Sequence, residues 1–238
     1  MKKVAWASPR VAGAVEQLDA PGADPRLVAG ALDDLGRINR LFLGTNLTVA
    51  AVRELIGSVS AGGAVTFLDA GCGRGDMAVA LARWARARGL DARVLAVDAS
   101  AAIAGLARER FGEEIEVRVD DLLALDLPDQ SVDVAACSLV LHHFEPEEAL
   151  RALRELGRVA RKGVVVNDLV RGPLGLLGAH AVARLMTRNP ITRHDAVLSA
   201  RRAYTRRELL DLVDAAGLRP RNVRGVLGYR VAIAAEAV

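Results

Sequence analysis

Three acids, three glycines and two adjacent histidines are the residues whose types and spacing bear chemistry in this chain. Asp69 ends a short apolar, β-rich run at 65–68, and Gly71, Gly73 and Gly75 follow at alternate positions. Asp98 ends a second apolar run at 94–97. A backbone that turns sharply from strand to helix, with a ligand lying against it, has no room for Cβ atoms at the contact points. The helix that follows presents unpaired N–H groups there, which suits a carboxylate or phosphate. An acid at the tip of the next strand is placed to accept from the two hydroxyls of a ribose. The pattern describes a mononucleotide-type cofactor site, the alternative being a plain structural turn in some other α/β protein.

The glycine spacing then separates the cofactors. A dinucleotide loop of the form G-x-G-x-x-G needs glycine at position 76, and Asp76 stands there instead. An acid at that helix start repels a pyrophosphate, and the Gly-Lys-Ser/Thr of a phosphate-binding loop is absent too. A ligand with a zwitterionic amino-acid tail and a further positive charge fits better.

The run Asp69-Ala70-Gly71-Cys72-Gly73-Arg74-Gly75 resembles the first motif of class I S-adenosylmethionine-dependent methyltransferases, and Asp98 resembles their ribose-binding acid. Asp121-Leu122 and then Leu127-Pro128-Asp129-Gln130-Ser131-Val132-Asp133 resemble their adenine-side segment and fourth strand. Leu141-His142-His143-Phe144 resembles the exit of that strand in the small-molecule branch, and the likeness runs from about residue 35 to the C-terminus. The resemblance implies S-adenosylmethionine as cofactor, held by Asp69, Gly71, Gly73, Gly75, Asp98, Ala99, Asp121, Leu122 and Ser138. It places Asp121 and the Leu122 backbone against the adenine, with Asp120 a solvated neighbour. It also implies a helical cap or lid over 1–60 and a methyltransferase domain over 61–238, with Arg37, Asn39, Arg40 and Asn46 as lid residues or as a solvated helix face.

Ligands of open α/β sheets bind outside the carboxyl ends of the strands. The strand ends collect Asp69, Asp98, Asp121, His142, His143, Asn167 and Asp168. Methyl transfer is an in-line displacement that needs mainly alignment, plus a base when the acceptor is a phenol or enol. Neutral histidine suits that task, and the catalytic candidates are His142 and His143 with Asp168 as an orienting carboxylate. If both histidines remain in the strand they point to opposite faces, so one at most reaches the acceptor. The competing reading packs them beneath the cofactor or bonds them to backbone. His194 with Asp195 is a second candidate pair, and no metal is expected, because no further His or Cys offers ligand spacing.

These residues need elements to position them. Helix patterns run over 26–32, 35–43 and 47–59, from Asp76 with Met77, Leu81, Trp84 and Ala85 on one face, and over 101–111, 147–159 behind Pro146, and 173–186. Strand patterns cover 115–119, 132–141 and 164–166, the last ending at Asn167 and Asp168. Residues 187–204 read as irregular and polar. Thr205 with Glu208 forms a capping box for a helix over 206–216, stopped by Gly217. Strands at 219–226 and 229–235 turn at Gly228. Alternating strands and helices argue for a doubly wound, mostly parallel sheet. The resemblance completes it as a Rossmann-like, seven-stranded sheet with an antiparallel C-terminal hairpin.

The 238 residues suffice for one domain with a substantial core, and 52% hydrophobic with only 3% aromatic residues makes that core aliphatic. A net charge of +3 is a weak argument for nucleic acid. Cys72 and Cys137, the two cysteines, fit small fillers in a reducing compartment. Residues 1–15 show no signal-peptide pattern, and 169–186 carries Arg171, His180 and Arg184 and so is no membrane span. The expectation is a soluble cytoplasmic enzyme of small-molecule, secondary-metabolic biosynthesis. Within the resemblance, the leading reading is methyl transfer to a hydroxyl of a phenolic, quinol or polyketide-like acceptor. A C-methyltransferase acting on an activated aromatic or enol carbon, and a cofactor-binding fold reused as a cyclase or regulator, stay open. A nucleic-acid methyltransferase is disfavoured: an Asn/Asp-Pro-Pro-aromatic segment is missing and the basic stretch 193–207 is short. Pro9, Pro21 and Pro25 break a weak helical pattern in residues 1–25, whose role stays open together with homodimer formation.

Overall fold

The computed structural model describes residues 9–20, 22–57 and 59–237. The part of the N-terminal reading that falls on residues 1–8 lies outside the described residues.

The apolar runs form one seven-stranded sheet. Strands β1 (Ala64–Ala70), β2 (Asp91–Asp98), β3 (Glu116–Val119), β4 (Val132–Ser138) and β5 (Ala160–Leu169) are mutually parallel, and β6 (Leu218–Val226) and β7 (Arg230–Ala237) form an antiparallel hairpin. The spatial order is β3-β2-β1-β4-β5-β7-β6, with β7 antiparallel to β5. Central strands are covered on both faces, which is why they read as near-continuous apolar runs. In β1, Phe67 packs toward one face and Leu68 toward the other; in β4, Val134 and Ala135 divide in the same way. One face carries α2 (Gly44–Ile56), α3 (Asp76–Arg86) and α4 (Ala101–Phe111); the other carries α5 (Pro146–Val159) and α8 (Arg206–Ala215). The strand order reverses at β1 and β4, so the crevice lies above their carboxyl ends.

Three elements differ from the sequence expectation. The two helices read at 26–32 and 35–43 are one continuous helix, α1 (Pro25–Leu41), capped by the Asp24 carboxylate and started by Pro25. Residues 187–204 are not irregular: they hold α7 (Pro190–Arg202), which packs on α6 (Pro173–Leu185). Asn189 caps α7 by accepting from the Ile191 N–H. The helix was invisible as a periodic pattern because it buries polar groups, Thr192, Asp195, Ser199 and Arg202, whose partners come from distant segments. Strand β4 stops at Ser138 rather than running to 141: Leu139 donates to the Asn167 carbonyl (2.8 Å), takes φ +60°, and turns the chain into a 3₁₀ turn, Leu141–His143. The Thr205–Glu208 capping box and the C-terminal hairpin stand as read from the sequence.

Candidate active site

A cavity of about 490 Å³ opens at the carboxyl ends of the strands, walled by the glycine turn, α1, α6, α7 and the N-terminal segment. Of the residues singled out in the sequence, Asp69, Gly71, Gly73, Asp98, Ala99, Asp121, Leu122, Ser138, His142 and His143 line it. Gly75 does not; it sits at the start of α3 against Ile115 and Phe111. Asp168 stands behind His142, fully buried. Asp120, read as a solvated neighbour, also faces the cavity and accepts from the Asp121 and Asp126 N–H groups.

On the β1–β2 side the turn is held by Asp98. One carboxylate oxygen accepts from the Gly73 N–H and the other from the Ser100 N–H, both at 3.0 Å, leaving each with a free lone pair. Burial raises the Asp98 pKa against the pull of those N–H groups. A Cβ on Gly71 (φ +69°) would stand 2.5 Å from the Val140 side chain, whereas one on Gly73 (φ +54°) would meet only Leu32, at 3.6 Å. The space in front of Gly73 belongs to the cavity. Asp69 is 1% exposed, and its Oδ2 has no hydrogen-bond partner among the described residues. Burial pushes its pKa up to about 7, opposed by the Ala78 N–H and reinforced by Asp98. An orphaned carboxylate oxygen, a turn bare of side chains and a part-free strand-tip acid fit a ligand with a ribose at one end and a cationic amino-acid group at the other. Cys72 beside the turn is a buried thiol pushed up by burial and its acidic neighbours, a neutral filler.

The histidines correct the sequence reading most sharply. They do not alternate across a strand; on the 3₁₀ turn their rings stack, with centroids 4.4 Å apart and planes 34° from parallel. His142 Nδ1 lies 2.6 Å from Asp168 Oδ1, and the His142 backbone N–H donates to Asp168 Oδ2 at 3.2 Å. Burial, the largest single influence, would raise the Asp168 carboxyl, but His142, the Leu169 N–H and His143 together hold the pKa below the ordinary value. His143 Nδ1 contacts Asp19 at 3.0 Å; burial lowers its pKa, and Asp19 and Glu16 more than reverse that, so the net shift is upward.

Residues 67–163 match a family described as a methyltransferase domain. That stretch is a methyltransferase domain. The fold is shared with an S-adenosylmethionine-dependent methyltransferase from Aquifex aeolicus at TM-score 0.62 and 23% identity, over 90% of this chain and 99% of that one. Magnesium protoporphyrin IX methyltransferase from Synechocystis PCC 6803, solved with bound S-adenosylhomocysteine, matches at TM-score 0.58 and 20% identity, over 84% and 87% of the two chains. An O-methyltransferase family 2 protein from Planctomyces limnophilus in complex with apigenin matches at 0.61 and 16%, over 92% and 63%. Similar folds also include a carbon methyltransferase, CurJ, and a cyclase, SpnF. No curated protein matches the sequence.

Around this methyltransferase domain, the sequence reading missed the N-terminal segment. Glu16, 4% exposed, faces both histidines, at 3.6 Å from His142 Nε2 and 3.8 Å from His143 Nε2, and accepts from Ser199 Oγ at 2.7 Å. Arg10 fastens the segment by donating to the Phe144 carbonyl (2.6 Å) and the Arg202 carbonyl (2.6 Å) and by pairing with Glu145. Asp195 does the same, accepting from the Gln17 and Leu18 N–H groups at 2.9 Å. The His194–Asp195 pair exists, at 2.7 Å, but Asp195 faces the N-terminal backbone and His194 does not line the cavity. Glu16 joins the histidines across about 126 positions of chain with no local pattern to announce it. Glu16, His142 and His143 bring their ligand atoms within 4.8 Å of one another, a cluster that spacing alone did not show. Asp168 and Asp19 also contact these rings, so three carboxylates meet two imidazoles there. Of the lid candidates, Asn39 lines the cavity, Arg37 pairs with Asp34, and Arg40 and Asn46 are not lining residues.

Proposed function

We propose that this protein methylates a hydroxyl of a small aromatic or polyketide-like acceptor, and that His142 takes up the hydroxyl proton. The methyl donor of the domain is S-adenosylmethionine, which when bound supplies a methyl group on a positively charged sulfur. Asp98 is the acceptor for its ribose hydroxyls, Asp69 faces its cationic amine, and Asp121, Leu122 and Ser138 complete the wall. The observation that carries the choice of base is the 2.6 Å contact between His142 Nδ1 and Asp168 Oδ1. An ionised, buried Asp168 keeps the proton on Nδ1 and leaves Nε2 as the basic atom. His143, its pKa raised by acidic neighbours, is held by Asp19 beside the acceptor. Residues 9–41 act as the lid: α1 and the Arg10-fastened segment exclude water, whereas α2 belongs to the core. The polyphenol in the related O-methyltransferase complex supports an aromatic acceptor. The test is incubation with methyl-labelled S-adenosylmethionine and a panel of phenols, catechols and quinols, read by mass spectrometry. O-methylated product is expected; label on carbon, or on none of the panel, overturns the reading.

A further inference from the structure

One buried charge in the cavity is not answered by any of the described residues. Arg230 opens β7 opposite Leu169 of β5, is 3% exposed, and is among the residues that line the cavity. Its Nε donates to Asn167 Oδ1 at 2.7 Å. That bond is the end of a relay in which Asn167 Nδ2 donates to Thr48 Oγ1 (2.7 Å) and Thr48 Oγ1 contacts Ser138 Oγ (3.1 Å). The relay fixes the plane of the guanidinium. Neither Nη group has a hydrogen-bond partner among the described residues, and Nη2 is a buried orphan, as is Asn39 Oδ1 nearby. Among the described residues no carboxylate lies within salt-bridge distance: Asp168, one register position away, is turned to His142 and to the Leu169 N–H.

A guanidinium carries about five N–H donors in a rigid fork, shaped for two oxygens of one anion. Burial lowers the Arg230 pKa to about 10, with Asp168 and Tyr229 opposing, so it stays charged at neutral pH. A buried charge without a partner is costly, and such sites are found where a ligand supplies the missing ion. Helix α2 leaves room for the fork only because residue 44 is glycine: a Cβ there would stand 2.5 Å from Arg230 Cζ.

We infer that Arg230 is the acid-binding residue of the acceptor site, its guanidinium receiving a carboxylate of the methyl acceptor. The inference rests on the reading that this cavity takes an acceptor. The cofactor's own carboxylate is the other source of the same chemistry, and position argues against it. The cofactor residues span β2, β1 and β4, two strand spacings or about 10 Å, while Arg230 lies two spacings further, about 10 Å beyond β4. Leu169, Val170, Phe42 and Tyr229 line the approach, giving an apolar wall for a ring that bears the acid. Tyr229 and Phe42 meet edge to face at 5.9 Å, and the Tyr229 hydroxyl donates to the Phe42 carbonyl.

The experiment uses the full chain, with Arg230→Gln and Arg230→Lys beside it. Calorimetry measures S-adenosylhomocysteine, then, in its presence, matched acid and neutral probes: 3,4-dihydroxybenzoate against catechol, and caffeate against 4-vinylcatechol. The wild type should bind at least one acid tenfold or more tightly than its neutral counterpart, and Arg230→Gln should erase the difference with S-adenosylhomocysteine affinity unchanged. Ligand-free Arg230→Gln should melt no lower than wild type, because it removes an unanswered buried charge; a purely structural arginine would give a lower melting temperature. Tenfold weaker S-adenosylhomocysteine binding by Arg230→Gln assigns the fork to the cofactor and overturns the inference. So does a wild type with no acid preference, a result that stands even where neither variant folds. Label transfer to neutral phenols alone sinks this inference and spares the proposed reaction. Acid binding without any transfer does the reverse.

Discussion

Asp168→Asn tests the proposed base with almost no change of shape. Every contact of this carboxylate is as an acceptor: Oδ1 receives His142 Nδ1 at 2.6 Å and the Leu169 N–H at 2.7 Å, and Oδ2 receives the His142 N–H at 3.2 Å. An amide converts one of the two oxygens into a donor. Placed at Oδ2, its NH₂ meets the His142 backbone N–H and leaves a buried donor unanswered, a cost of about 1–3 kcal/mol in stability. Placed at Oδ1, it leaves the Leu169 N–H unanswered at the same kind of cost and drives the ring to the other tautomer, so that Nε2 carries the proton and cannot accept one. Loss of a general base costs about 10²–10⁴ in rate. Turnover of a phenol with a pKa of about 10 should therefore fall by at least about 10², and of an acidic nitrophenol, already ionised at the assay pH, far less. S-adenosylhomocysteine binding, followed by calorimetry, should not move. Turnover of the high-pKa phenol within about threefold of wild type, with cofactor binding intact, would refute the argument and leave alignment as the whole of catalysis.

Two further outcomes follow from the cofactor side. Gly73→Val should fold, since a Cβ there meets only Leu32 at 3.6 Å and the left-handed backbone costs about 1–2 kcal/mol, yet it should lose S-adenosylhomocysteine binding; tight binding by a folded variant contradicts the close approach. Asp69, with a folded pKa of about 7 against an ordinary 3.8, keeps its proton when folded and gives it up when unfolded across that interval. Stability from this group is therefore greatest below about pH 4, declines as pH rises to about 7, and levels off above. A cationic ligand favours the ionised form, so S-adenosylmethionine should bind more tightly at pH 8 than at pH 6, and Asp69→Asn should flatten both profiles; a wild-type affinity indifferent to pH removes Asp69 from the amine's environment.

The glycine-turn half of the cavity was legible because its residues are local. Glycines at 71 and 73 and the acids at 69 and 98 lie within one strand–turn–helix–strand unit, where backbone sterics and strand ends dictate residue type. The parallel sheet and the C-terminal hairpin were legible for a related reason: strands buried on both faces leave continuous apolar runs, and turns leave glycines. The histidine half was written across the chain. His142 and His143 were visible as residues, but a positive φ at Leu139 decided that they stack instead of alternating. Glu16 became part of the site only when Arg10 and Asp195 fastened a segment more than a hundred residues away in sequence. Helix α7 hid because its buried face is polar, and polar groups become core only when tertiary structure brings their partners. Arg230 reads in sequence as one more arginine of an edge hairpin; the antiparallel pairing of β7 on β5 carries it to the strand tips and buries it without a counter-ion among the described residues. Periodicity and turn chemistry act over a few residues, so the sequence by itself determined the scaffold and the glycine turn. Burial, charge pairing and ring orientation depend on contacts between segments far apart in the chain, and only the tertiary structure decided those.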